Sequence, residues 1–496
     1  MIKPIDKIIE QGALNHAIKR YHEKKIILPT FAQQRNPELI PRVIKNKLKN
    51  VGLWDFDPLN LFRISWKNEP VEKGGLFGAP NYLELPKELT GVDARIVMLI
   101  GKWFPTGAHK VGAAYGCLAP SIITGGFDPT YHKAVWPSTG NFCRGGAFDS
   151  VLMDTEAIAI LPELMSRERF DWLKNKAKAT IIATKGSESN VKEIYDKCWE
   201  LRRSREDVVI FNQFDEFGNA AWHYNITGSA IEEVYNILKT PKSSLAAFVS
   251  ATGSAGTIAA GDYLRTIYPF IRVVASEALQ CPTLLRNGFG AHRIEGIGDK
   301  HIPWIHNVKN TDMVVGIDDE DPMRILRLFN GHEGTNYLKM EGISKQIIDA
   351  LPLLGISGIS NMLSAIKTAK YYEMSKDDII FTIATDSSEL YRSRIDELLM
   401  ERGSYTGLQA ARDFEKCIMG QCTSNMRELS FMERRALHNL KYFTWVEQQG
   451  KDVADLEQLW YDREIWNTLF NQVNRWDELI EEFNEKTGVL KMMEQA

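Results

Sequence analysis

The sequence predicts an α/β protein built on parallel sheets. Three observations predict it. Short apolar runs alternate with amphipathic segments, turn signals bound each run, and several runs end in small-residue or glycine-rich loops. The runs are ARIVMLI (94–100), AIAIL (157–161), ATIIAT (179–184), LAAFVSA (245–251), RVVASE (272–277) and DIIFTIAT (378–385). Apolar runs of this length suit strands covered on both faces. Their alternation with helices places them in parallel order within a layered fold.

Composition bounds the rest. The 496 residues are 44% hydrophobic and 25% charged, ordinary for a globular protein and too many for one small core. A net charge of −4 and a pI near 6.3 point to neither nucleic acid nor an anionic membrane surface. No stretch approaches 18 uninterrupted apolar residues, and the first residues lack the apolar region of a signal peptide. A cytoplasmic location follows as an expectation. The six cysteines read as thiols, and their spacing suggests no metal site.

Residues 1–93 mix polar, helix-like text with Pro and Asn and read as an N-terminal arm. Residues 401–496 contain no clear strand and read as a helical C-terminal extension. Within it Leu456, Leu459, Trp460, Trp466, Leu469, Phe470, Val473, Trp476 and Ile480 recur at helical spacing. They predict an amphipathic helix whose aromatic face packs on the main body or on a second subunit.

Four segments carry chemistry. PTGAHKVGAA (105–114) sets Lys110 among small residues that leave room for a flat ligand. A desolvated lysine loses its proton and becomes a nucleophile toward an aldehyde. WPSTGNFCRGGA (136–147) places Ser138, Thr139, Gly140 and Asn141 in a turn leading into a helix. Hydroxyls and N–H groups there suit a carboxylate, although the same residues are ordinary helix caps. FVSATGSAGTIAAG (248–261) runs from a strand through Thr252, Gly253, Ser254, Ala255, Gly256 and Thr257 into a helix. Such a loop exposes N–H groups to a phosphate, and it is neither a Walker loop nor a dinucleotide fingerprint. IIFTIATDSSELY (379–391) ends a strand in Asp386, Ser387 and Ser388, at the edge where α/β proteins bind ligands.

In this order the segments resemble the fold type II pyridoxal-phosphate (PLP) enzymes, and within them the cysteine synthase and cystathionine β-synthase branch. FNQFDEFGNAAWHYNITGSAI (211–231), IEGIGDKHIP (294–303) and GISGISNMLSAIKTAK (355–370) strengthen the resemblance, which spans roughly residues 95–395. The lysine context TGAHK is closer to the tryptophan synthase β-subunit, but that subunit's Glu-Thr-Gly-Ala-Gly-Gln segment is absent. Phe142 stands where cysteine synthases carry a small hydroxyl residue. Simple cysteine synthases also lack counterparts of the arm and the extension.

The resemblance implies a two-domain, tryptophan synthase β-like fold. Residues 94–109 and 226–400 would form a large cofactor-binding domain, and residues 110–225 a small substrate domain. It further implies PLP held by Lys110 as a Schiff base, with the phosphate on residues 252–257. Asn141 would sit on the ring hydroxyl and Ser387 at the pyridine nitrogen. Ser138, Thr139, Gly140, Asn141 and Gln213 would bind the carboxylate of a small amino-acid substrate. The implied chemistry is β-elimination or β-replacement on a serine- or cysteine-type amino acid through an aminoacrylate, in a homodimer. A threonine dehydratase- or synthase-like reaction and a non-catalytic scaffold are the alternatives. His109 is balanced between ligand contact and packing, and His223 reads as structural. Cys143 lacks a sequence-placed base that would make it a nucleophile. Asp299 and Lys300 lie in a segment that could reach substrate.

Overall fold

The computed structural model describes residues 1–69, 74–138, 140–186, 190–298 and 300–495. Two sheets organise it. In chain order the strands are β1 (Tyr82–Leu85), β2 (Arg95–Ile100), β3 (Lys133–Pro137), β4 (Glu156–Pro162), β5 (Thr180–Thr184), β6 (Val208–Ile210), β7 (Ser244–Ala251), β8 (Arg272–Ala278), β9 (Met313–Ile317), β10 (Asp378–Ala384) and β11 (Met426–Glu428).

The larger sheet has the order β1-β2-β10-β7-β8-β9-β11, and the smaller β5-β4-β3-β6. The smaller sheet is wholly parallel. In the larger, β2 to β9 are parallel and the two edge strands are antiparallel. The middle strands bury both faces, as their unbroken apolar runs require: Ile96 to Ile100, Leu245 to Ser250 and Ile380 to Ala384 are all buried.

Two of the expectations need correction. The segment after residue 400 is not strand-free, because Met426–Glu428 pairs with β9 at the edge of the larger sheet. Three charged or polar-flanked residues give no apolar run to read. The stripe from Leu456 to Ile480 is also not one helix. It is divided among Val453–Tyr461, Ile465–Asn471 and Val473–Thr487. All nine stripe residues are buried within the chain itself, so this face packs on the body.

Both ends of the chain close over the middle. The carboxylate of Asp477 accepts from the N–H groups of Phe31 (2.6 Å) and Ala32 (3.0 Å). The Phe31 ring lies between Tyr115, on the helix that begins at Lys110, and Trp476. Trp222 Nε1 donates to Gln34 Oε1 at 2.8 Å. Among the described residues no helix is long and apolar enough to cross a membrane.

Candidate active site

Four loops at the C-terminal ends of parallel strands meet between the two sheets, which is where open α/β sheets leave a crevice. The first carries Lys110, the opening residue of the helix Lys110–Ile123. Its Nζ donates to Ser254 Oγ at 2.9 Å, which ties it to the loop after β7. His109, just before it, donates its backbone N–H to Thr385 O at 3.3 Å and so docks this loop on the end of β10.

The loop after β7 is shaped to leave backbone donors unused. Thr252 is fastened to β8 through N–H and hydroxyl bonds to Ser276 O. Among the described residues the N–H groups of 253–257 make no backbone hydrogen bond. Ala255 holds a left-handed φ of +60°, an uncommon conformation that turns successive N–H groups toward one side. A Cβ at Gly256 would stand 2.0 Å from Asn219 Oδ1, so a side chain there would displace that amide.

The third loop follows β3. Ser138 is buried; its Oγ accepts from Gly140 N at 3.1 Å and from Gln213 Nε2 at 3.3 Å. Gly140 adopts φ +153°, and a Cβ there would meet the Arg169 guanidinium. Asn141 opens the next helix, Asn141–Leu152, and its Nδ2 donates to Asp386 Oδ2 at 2.6 Å. Thr139 lies outside the described residues, as does Asp299.

The fourth loop follows β10. Asp386 is fully buried and accepts from Asn141 and from Tyr391 Oη (2.7 Å). Burial pushes its carboxyl up, while Arg169 and its two donors pull it down. Ser387 is buried and its hydroxyl has no partner; although it precedes a short 3₁₀ helix, its side chain does not cap it. The helix-cap explanation of this serine is therefore not the one the structure displays.

One residue that sequence reasoning left out belongs to the set. Asn219 is fully buried and donates to Gln213 O (2.9 Å) and Ser254 Oγ (3.1 Å). It thereby joins the lysine's partner to the glutamine. Its signal was its position six residues after Gln213 in the FDEFGNAAWH segment, which reads as a helix start rather than as a site.

The other candidates sit as follows. His109 is buried against Trp66 and His223, with burial and Lys110 holding it neutral. His223 bonds Thr227 Oγ1 at 2.9 Å. Cys143 is buried, bonded to Gly140 O, and its thiol is pushed up to about 12 by burial. Lys300 is exposed, and its Nζ lies 5.6 Å from the Phe289 ring.

The residues present fit a PLP molecule. Asn141 Oδ1, Asn219 Oδ1, Asp386 Oδ1 and Ser387 Oγ are buried polar atoms without partners. Buried polar atoms are ordinarily satisfied, so such a set beside an amine and a loop of unused N–H groups suits a polar ligand with an anionic end. Among the described residues no cluster of His, Cys, Asp and Glu could hold a metal.

Comparison with known proteins agrees. A family model described as pyridoxal-phosphate dependent enzyme matches residues 103–336. A probable cysteine synthase of Bacillus subtilis is 28% identical over 301 residues, covering 60% of this chain and 89% of its own. The cystathionine beta-synthase of Saccharomyces cerevisiae is 24% identical over 319 residues, 63% of this chain and 59% of its own. Among solved structures, O-acetyl serine sulfhydrylase isoform 3 of Entamoeba histolytica superposes with a TM-score of 0.55 at 22% identity, covering 69% of this chain and 94% of its own. At that identity the superposition shows the fold.

Proposed function

We propose that the chain is a pyridoxal-phosphate-dependent enzyme of the cysteine synthase and cystathionine β-synthase branch, which it resembles, and that it carries out β-elimination or β-replacement on a serine- or cysteine-type amino acid. One observation carries the reading: Lys110 Nζ lies 2.9 Å from Ser254 Oγ, on a loop whose N–H groups are unused. When bound, PLP supplies the electron sink for bond breaking at the α-carbon.

The chain's own groups then have distinct tasks. Lys110 would hold the cofactor, and its free amine would take the α-proton on Nζ, with Ser254 Oγ as the neighbouring acceptor that orients it. Thr252, Gly253, Ser254, Ala255, Gly256 and Thr257 hold the phosphate end. Asn141, itself oriented by Asp386, serves the ring hydroxyl. Ser387 would offer the ring nitrogen a neutral hydrogen-bonding group, which would favour loss of a β-substituent over a long-lived carbanion. Ser138, Thr139, Gly140, Asn141 and Gln213 receive the substrate carboxylate.

We also read residues 94–109 and 226–400 as the cofactor-holding domain and residues 110–225 as the substrate domain. The two separate sheets support that division. A homodimer and a cytoplasmic location belong to the same reading, the second supported by six unpaired cysteine thiols. Light scattering on the purified protein tests the dimer.

Borohydride reduction of the holoenzyme followed by peptide mapping should place the phosphopyridoxyl group on Lys110. Incubation with β-substituted amino acids should release a keto acid and ammonia, or a new amino acid when a thiol is present. Label on another lysine, or absence of either product, overturns the reading.

A further inference from the structure

Arg144 stands one helical turn beyond Asn141 and is 4% exposed. Its Nη2 donates to Thr106 O at 3.0 Å, four residues before Lys110. Its guanidinium carbon lies 4.7 Å from the Trp172 ring centroid. Nε and Nη1 are buried and have no partner. Among the described residues Arg144 forms no ion pair, so a full cation is buried on one carbonyl and one aromatic face.

Among the described residues no neighbour pairs with it directly, and Asp386 acts on it only at longer range. Arg169 is matched by Glu295 and Tyr391, and Arg394 shares Glu295 at 2.6 Å and pairs with Glu397 at 2.7 Å. The remaining carboxylate, Asp386, is taken up by Asn141 and Tyr391. Glu295 and Glu397 are thus engaged by Arg169 and Arg394, and neither pairs with Arg144. Burial and Arg169 lower the Arg144 guanidinium to about 10, which still leaves it charged at neutral pH. Burying an uncompensated cation is costly, and two idle donors in a rigid fork suit an oxyanion.

Resting on the reading of the site given above, we propose that Arg144 is a specificity-determining residue that recognises a negatively charged β-substituent, a phosphate ester or sulfonate, on the substrate amino acid. The phosphate of the cofactor is not its partner in this scheme, because that group is assigned to the loop after β7.

Calorimetric titration of the holoenzyme with O-phospho-L-serine and with L-serine tests the assignment. The wild type should bind the phosphate ester more tightly. In Arg144→Met that preference should shrink by about 10- to 100-fold, the worth of a hydrogen-bonded charge pair. Thermal melting checks that the variant is folded. Should it not be, Arg144→Gln, which retains a donor for Thr106 O, replaces it with the same expectation. Equal affinity of the wild type for the two ligands overturns the proposal. So does a variant that weakens both ligands equally, since that marks a structural or α-carboxylate role. Because the measurement is of binding, failure of β-chemistry would bear on the proposed function alone. Failure of the preference would bear on Arg144 alone.

Discussion

At the scale of single residues, Asn219 ties the site together more than any residue read from the sequence. Its one amide nitrogen serves both Gln213 O and Ser254 Oγ, and its unpartnered oxygen faces the loop that contains Gly256. Replacing it by alanine removes two buried hydrogen bonds. The expected cost is roughly 1–3 kcal/mol of stability, because the orphaned acceptors stay buried. Cofactor affinity should fall with it, since Ser254 loses a donor that fixes its hydroxyl. Fluorescence titration of the apoprotein with PLP, beside a denaturation curve, checks both. Unaltered cofactor affinity would reduce Asn219 to a packing residue. The lysine, the serine-threonine-glycine turn and the small-residue loop drew notice because together, in this order, they resemble a known family, each being ordinary alone. Asn219 and Arg144 did not, because an asparagine or arginine within a helical segment is ordinary until its burial is known.

At the scale of elements, six strands could be read from apolar runs alone, and five could not. β3 ends in Trp-Pro, β6 and β11 have three residues each, and β1 and β9 have four and five. Such pieces are too short to show a period, so neighbours rather than sequence select them. Burial of histidines is equally a matter of neighbours. His306 is fully buried, bonds Thr311 Oγ1 at 2.9 Å, and is lowered to about 3 by burial and Lys441. A folded pKa below the unfolded value near 6.5 means that the unfolded chain binds the extra proton between those limits. Stability from this group is therefore present above about pH 6.5 and lost as pH falls toward 3. Buried carboxyls such as Glu277, raised to about 8, act in the opposite sense, so the difference between variants is the useful quantity. His306→Gln should reduce the slope of unfolding free energy against pH by about 1.2 kcal/mol per pH unit between pH 5 and 6. Denaturant titrations at several pH values measure that slope, and parallel curves for both proteins would show that His306 does not titrate on unfolding.

At the scale of the whole molecule, the arm and the extension form one clasp around the lysine helix. Asp477 fixes the helix start at Phe31, Asn484 bonds both Leu28 N and Leu28 O, and Trp476 Nε1 donates to Ile5 O. Asp477→Ala should cost roughly 1.5–3 kcal/mol, the range for hydrogen bonds to a charged acceptor. It should also hasten proteolysis of the first 40 residues, which limited digestion followed by mass spectrometry would detect. A digestion rate equal to wild type would mean that apolar packing alone holds the arm. The sequence by itself determined the layered parallel fold, through unbroken apolar runs, and the kind of cofactor, through the resemblance that its ordered segments bear to a known family. Only the tertiary structure decided that the aromatic stripe at 456–480 covers this chain's own body. It alone gave the extension an edge strand, left Ser387 unpartnered instead of capping a helix, and buried Arg144 without a counter-ion. Those outcomes depend on which groups meet across hundreds of residues of chain, and burial and pairing have no local signature.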